Sequence, residues 1–192
     1  MELPIEATIK GAWTLFMLYW LWGWRRVKGA NRAEPLLPRL LKYWLPLAVA
    51  FCLLGSGDWF GDSFLHARIW LATAMVSVLG ALLTVAGVAF ACWARYILGR
   101  NWSSEVQLKQ DQELIERGPY RLVRHPIYTG MLLAFFGTAM AIGEWRGLIA
   151  LAIIAGSFWF KLRLEERWMR EQFGAGYLEY MQRVKALIPW IL

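Results

Sequence analysis

Long apolar runs and short polar ones alternate along this chain, and the lengths of the apolar runs set its architecture. Ile5 to Trp24 is mainly apolar over about twenty positions, enough at 1.5 Å per residue to cross a ~30 Å hydrocarbon layer. Glu6 and Lys10 lie near its start, within reach of the interface. The polar stretch Arg25 to Pro35 follows, and its Gly29 and Pro35 stop a helix. A second span is expected from Tyr43 to Phe60, closed by Gly55-Ser56-Gly57-Asp58 and leading to an outward loop with Asp58, Asp62, His66 and Arg68. Ile69 to Leu98 is long enough for one tilted span or two short ones. The fourth span is expected from Pro126 to Gly143 and the fifth from Gly147 to Phe160, forming a hairpin through Glu144-Trp145-Arg146. Beyond it, Trp168, Phe173, Tyr177, Tyr180, Met181 and Val184 recur at roughly helical spacing around a Gly174-Ala175-Gly176 break. That pattern predicts an amphipathic tail on the membrane face.

Charge decides how the third run is threaded. If it crosses once, six Lys and Arg fall in residues 25–42, six in 95–124 and six in 161–185, leaving Lys10, Arg68 and Arg146 on the other side. Such a split follows the positive-inside bias for five spans, with the N-terminus out and the C-terminus in the cytoplasm. A double crossing breaks it.

Composition agrees with this picture. Apolar residues are 58% of the chain and charged residues 18%, against a soluble average of roughly half and a quarter. The expected fold class is therefore all-α, a polytopic membrane protein of about five transmembrane helices in one domain. The net charge of +7 flanks apolar runs and forms no single basic stripe, so no nucleic-acid partner is expected. Glu2 and Glu6 stand where a signal peptide would carry Lys or Arg, so the first segment is expected to remain. Cys52 and Cys92 lie within apolar runs and read as buried thiols, and no zinc-ligand spacing occurs.

Polar chemistry concentrates at the lip of the fourth span, in Gly118-Pro119-Tyr120-Arg121-Leu122-Val123-Arg124-His125-Pro126-Ile127-Tyr128-Thr129-Gly130. Glu165 and Glu166 follow the fifth span at the same depth, where the charge bias would favour Lys or Arg. Taken one by one, the acidic pair reads as solvated, the histidine as a cap and the tyrosines as interfacial aromatics.

Read in order, Leu98-Gly99-Arg100-Asn101-Trp102-Ser103, Gly118-Pro119-Tyr120, Arg124 through Gly130, Glu165-Glu166, and Phe173-Gly174 with Tyr177 and Tyr180 resemble the isoprenylcysteine carboxyl methyltransferase family over residues 96–190. The resemblance implies an S-adenosylmethionine-dependent membrane methyltransferase whose residues 1–95 brace a cofactor-binding half, 96–192. It implies cofactor contacts from Gln112, Glu113, Leu114, Ile115, Tyr120, His125, Pro126, Ile127, Tyr128 and Glu165. An arginine four residues before that glutamate meets the acceptor carboxylate in the family. Lys161 holds the position here, with Arg163 nearby, and a lysine offers a point charge where arginine offers a planar fork.

A carboxylate acceptor needs only such a cation, whereas an ammonium or thiol must first lose a proton, for which Glu166 or His125 is the expected base. The implied partner is a lipophilic, prenyl-like substrate entering from the bilayer, beside membrane lipid. The active site is expected to face the cytoplasm, in a prokaryotic inner membrane or the endoplasmic reticulum. Phospholipid-amine or small-thiol methylation, an NADPH-dependent sterol-type reductase and a membrane scaffold are the rival readings.

Overall fold

The computed structural model describes residues 2–24, 30–33, 35–55, 57–70, 73–99, 107–109 and 113–191. The first apolar run forms helix α1, Glu2–Trp24. Glu6 and Lys10 pair at 2.5 Å on its exposed surface, one turn apart.

The second helix differs most from its sequence pattern. It starts at Leu36, seven residues early, and ends at Leu53, seven early. It consists of α2 (Leu36–Arg39), a π-helical turn (Leu40–Trp44) and α3 (Leu45–Leu53). Pro46 accounts for the wide turn. It lacks the N–H that would bond the Lys42 carbonyl, and its ring crowds that carbonyl. The backbone widens so that Leu45 N–H bonds Leu40 O, five residues back. The Lys42 carbonyl is instead satisfied by Ser157 Oγ, at 2.6 Å. Beyond Leu53 the chain runs through two short 3-10 turns, Gly57–Phe60 and Phe64–His66.

The third run crosses once, as a single 25-residue helix α4, Ala74–Leu98, with the Thr73 hydroxyl accepting from Val76 N–H at its start. Helix α5, Pro126–Ile142, begins on a proline that needs no N–H partner there. It ends at Gly143 in the left-handed region. Helix α6, Trp145–Phe173, does not stop at Phe160. It continues unbroken for 29 residues, past its apolar stretch, to the turn at Gly174. Helix α7, Ala175–Arg183, follows.

Among the described residues, three helical segments are long and apolar enough to cross a membrane: Leu36–Leu53, Ala74–Leu98 and Trp145–Phe173, with α5 a shorter apolar helix. Large apolar side chains such as Leu15, Leu18, Leu82 and Phe160 point outward, which suits a lipid solvent. Cys52 and Cys92 are free thiols; Cys52 lies on an exposed face, contrary to the buried reading.

Helices α4 and α5 pack backbone to backbone. A Cβ on Gly130 would sit 2.6 Å from Gly87 O, and one on Gly137 would sit 2.5 Å from Gly80 O. Small residues seven apart on both helices make that approach possible, as in membrane helix pairs generally. Around this seam Phe16, Leu53, Ala91, Phe135, Ile154 and Phe158 join α1, α3, α4, α5 and α6 in one apolar core.

At one end of the bundle, Arg146 is buried. It bonds Glu144 (2.5 Å) and the carbonyls of Leu53 (2.9 Å) and Gly55 (2.5 Å), tying the loop after α3 to the α5–α6 turn. At the other end a short ribbon joins two connecting segments of the all-α fold. Strand β1 (Ala30–Ala33) pairs antiparallel with β2 (Gln107–Lys109). The two polar segments leave neighbouring helices at the same end, and pairing satisfies their backbone groups.

Candidate active site

The site is built where α5 begins and the apolar part of α6 ends. Arg124 and His125 precede the Pro126 start of α5, so their side chains lie at the mouth of the bundle. Arg124 donates from Nε (2.9 Å) and Nη2 (2.5 Å) to Glu166 Oε1, a forked ion pair almost shut off from solvent. His125 lies between the two carboxylates, 3.3 Å from Glu166 and 3.5 Å from Glu165. The Tyr128 hydroxyl donates to Glu165 Oε1 at 2.6 Å. The His125 ring stacks on Tyr128 with centroids 5.6 Å apart, and Tyr128 stacks in turn on Phe158 at 4.8 Å.

The C-terminal segment closes the cluster from the far side. Arg124 N–H bonds Lys185 O (2.8 Å) and His125 N–H bonds Ala186 O (3.0 Å). The Thr129 hydroxyl donates to Leu187 O at 2.7 Å. The Arg124 guanidinium also reaches the carbonyls of Met181 and Val184, which end α7. Tyr180 donates to Tyr120 O at 2.6 Å and binds α7 to the 3-10 turn Gly118–Arg121. The buried face of α7, with Tyr177 and Tyr180, therefore turns inward, onto Leu114, Met169 and Phe173.

Burial works against the imidazolium of His125, but the hydrogen bonds and charges of Glu165 and Glu166 outweigh it and hold its pKa above the ordinary histidine value. For Tyr120, burial and the Glu165 charge push the hydroxyl far upward, so it stays neutral.

Several expected residues meet here: His125, Tyr128, Glu165 and Glu166 touch directly, and Tyr120 lies behind them. Lys161, one turn before Glu165, sends its ammonium over the Tyr128 ring at 5.6 Å. Others do not join. Arg163 is exposed and lies over Trp159, 5.6 Å away, on the other side of α6. Lys161 and Glu165 are four residues apart and share a helix face, whereas Arg163 lies about 200° from Lys161. Ile127 packs into the apolar core, and Pro126 is buried as the helix start. Glu113 is exposed, Leu114 packs against the α7 cluster, Ile115 is half-buried, and Gln112 lies outside the described residues. Glu166, the expected base for an ammonium or thiol acceptor beside His125, is the carboxylate paired with Arg124.

Sequence reasoning missed Arg124 and Tyr43 as site residues. Arg124 had a signal in its place directly before His125. The Tyr43 ring, from the π turn, lies 5.6 Å from the Lys161 ammonium; nothing local in the sequence pointed to it.

Fold and cluster together define a helical membrane protein with a charged, aromatic-lined site at one mouth of its bundle. The phospholipid methyltransferase family model matches residues 75–176, and the chain belongs to that family. It is 32% identical over 124 residues to protein-S-isoprenylcysteine O-methyltransferase of Saccharomyces cerevisiae, covering 63% of this chain and 52% of that one. The protein of the same name from Schizosaccharomyces pombe is 26% identical over 161 residues, covering 78% and 67%. Methanethiol S-methyltransferase 2 of Bradyrhizobium diazoefficiens is 45% identical over 71 residues, covering 36% and 26%. The chain thus spans about half the length of the budding-yeast relative.

Proposed function

We propose that this protein is a membrane methyltransferase that uses S-adenosylmethionine to methylate the carboxylate of a lipophilic, prenylcysteine-like acceptor. The carrying observation is the joined cluster of Arg124, His125, Tyr128, Glu165 and Glu166 at the shared mouth of α5 and α6. Membership of a methyltransferase family and likeness to proteins named for prenylcysteine methylation support this reading over a reductase or a scaffold.

The donor set fits such a cofactor. Glu165 offers a half-buried carboxylate suited to an amino group or ribose hydroxyls. His125 offers a stacked ring that the two carboxylates favour in its charged form and that suits a carboxylate, and the aromatic ring of Tyr120 tolerates a cation. S-adenosylmethionine, when bound, supplies a methyl group on a positively charged sulfur. The chain's own part is to bind, orient and keep water away, since in-line displacement depends mainly on positioning. Lys161 orients the acceptor carboxylate, which is already ionised at neutral pH and needs no base. Arg124 locks Glu166, and through it His125, in place. The site opens to the cytoplasm, with the N-terminus outside.

Small-thiol methylation is the second reading, favoured by the 45% identity to a methanethiol enzyme over a short segment. Both share the cofactor, so the first test is binding. S-adenosylhomocysteine added to the detergent-solubilised protein at about a hundred times its Kd should stabilise it by about 2.7 kcal/mol and raise Tm by several degrees. No shift in Tm and no heat of binding would remove the proposal. Labelled methyl transfer to prenylcysteine but not to methanethiol separates the two readings.

A further inference from the structure

After α7 the chain turns back along the residues that lead into α5. Val123 and Lys185 form a parallel bridge, and Arg124 N–H bonds Lys185 O at 2.8 Å. Beside that seam lies an open groove of about 220 Å³, lined by Arg121, Leu122, Arg183, Lys185, Pro189 and Trp190. Three of these side chains are cationic and none is acidic, and all three cations are exposed. Arg183 is partly engaged, donating to Glu116 at 2.9 Å. The side chains of Arg121 and Lys185 have no hydrogen-bond or ion-pair partner among the described residues. Around the cations, Leu122, Ile188, Trp190 and Ile191 are exposed, Trp190 at 88%. Trp190 also holds φ at 64°, in the left-handed region, where a bulky residue is an outlier. The strained backbone presents the indole outward, beside the cations.

We propose that this groove docks an anionic phospholipid of the bilayer that the protein spans. Arg121, Arg183 and Lys185 surround the headgroup phosphate, and Trp190 with its apolar neighbours lies against the upper part of the chains. The groove is smaller than the roughly 300–1,000 Å³ of a pocket that encloses a whole small ligand, so it takes a headgroup and leaves the chains in the bilayer. Its position fits: Leu122 precedes by four residues the start of the apolar helix α5 at Pro126, which puts the groove at the boundary of water and hydrocarbon. Tryptophan favours that depth, and basic side chains there meet the negative surface of the leaflet. An acidic peptide would satisfy the cations but leave the exposed apolar side chains in water. The docked lipid is a fixed partner and not the methyl acceptor. It steadies the segment that closes the site, since the carbonyls of Lys185, Ala186 and Leu187 accept from Arg124, His125 and Thr129.

The test titrates short-chain phosphatidylglycerol or phosphatidylcholine into the purified full chain in an uncharged detergent, with bound lipid counted by native mass spectrometry. One basic side chain at a membrane surface is worth about fivefold in affinity, so Arg121 and Lys185 together should give wild type a roughly 25-fold preference for phosphatidylglycerol. Arg121→Gln combined with Lys185→Gln should cut that preference to a few-fold, the share left to Arg183. Arg121→Lys combined with Lys185→Arg keeps the charges and should keep most of it. Arg163→Gln combined with Arg167→Gln, which removes two exposed cations outside the groove, should leave it unchanged. Trp190→Ala should weaken both lipids alike, and unchanged affinity for both would remove the indole from the site. Equal affinity of wild type for the two lipids overturns the proposal, as does an equal loss from the Arg163 and Arg167 pair. Inorganic phosphate that displaces the lipid at equal concentration would make the groove a site for a free anion, and hexaglutamate that binds more tightly than the lipid would assign it to an acidic peptide. Either result also overturns it. No cofactor is present, so none of these outcomes depends on the methyltransferase reading.

Discussion

Burial works against the charge of His125, and two groups favour it: Glu165 and Glu166 from α6 at 3.5 and 3.3 Å, with the neutral ring of Tyr128 stacked on it. Arg124 opposes that charge but is itself held by Glu166. The carboxylates raise the pKa of His125 in the folded protein above its unfolded value. Its contribution to stability is therefore complete below the unfolded pKa, about 6.5, and is lost as pH rises through the folded value. Tm of the solubilised protein should fall across neutral and mildly alkaline pH, and His125→Gln should flatten that slope while lowering Tm at pH 6. A variant with the wild-type slope would show that the carboxylates do not hold the imidazolium. The sequence made His125 and the acidic pair legible because charge of that sign is out of place beside the last span. It left Arg163 beside Lys161 as an alternative because the apolar run ends at Phe160, and so does the visible reason for a helix. Helical phase carried through residue 165 puts Lys161 with Glu165 and Arg163 on the opposite side.

At the level of elements, hydrophobic length and helix-stopping glycines set α4, α5 and the start of α6 closely, whereas α6 runs thirteen residues beyond the apolar end at Phe160. The second helix was misplaced because Leu36 to Lys42 mixes apolar residues with Pro38, Arg39 and Lys42, a pattern that reads as loop until α6 is present to pack on it. The seam between α4 and α5 shows how narrow the tolerance is. At Gly137 an added Cβ meets Gly80 O at 2.5 Å, and that backbone atom has nowhere to go without parting the helices. Gly156, in the same bundle, has nothing within 4 Å of such a Cβ. Gly137→Ala should destabilise by about 1–3 kcal/mol through overpacking, whereas Gly156→Ala should be neutral or stabilising by up to about 1 kcal/mol through helix propensity. Unfolding midpoints in mixed micelles measure both. Equal effects at the two positions would mean that α4 and α5 do not touch at this seam.

For the whole molecule, orientation decides whether the site can meet a cytoplasmic methyl donor. On the five-span expectation from the sequence, eighteen of the 21 Lys and Arg belong to segments on the side of the site and three to the other. Not all of them are free to steer insertion. Arg95 is buried among aromatic rings of α1, Arg124 is paired inside the site, and Arg146 is held by Glu144 and two carbonyls. Setting these aside takes two from the larger group and one from the smaller, so the bias survives. Insertion in any case reads the unfolded loop charges before these contacts form. A fluorescent protein fused to the C-terminus should therefore glow in a bacterial inner membrane, and alkaline phosphatase fused there should stay inactive; at the N-terminus the pattern should reverse. An active C-terminal phosphatase would turn the Arg124–His125 cluster to the outside. The Lys and Arg surplus would then have to serve the folded protein, and a methyl donor made in the cytoplasm would have no direct path to Glu165.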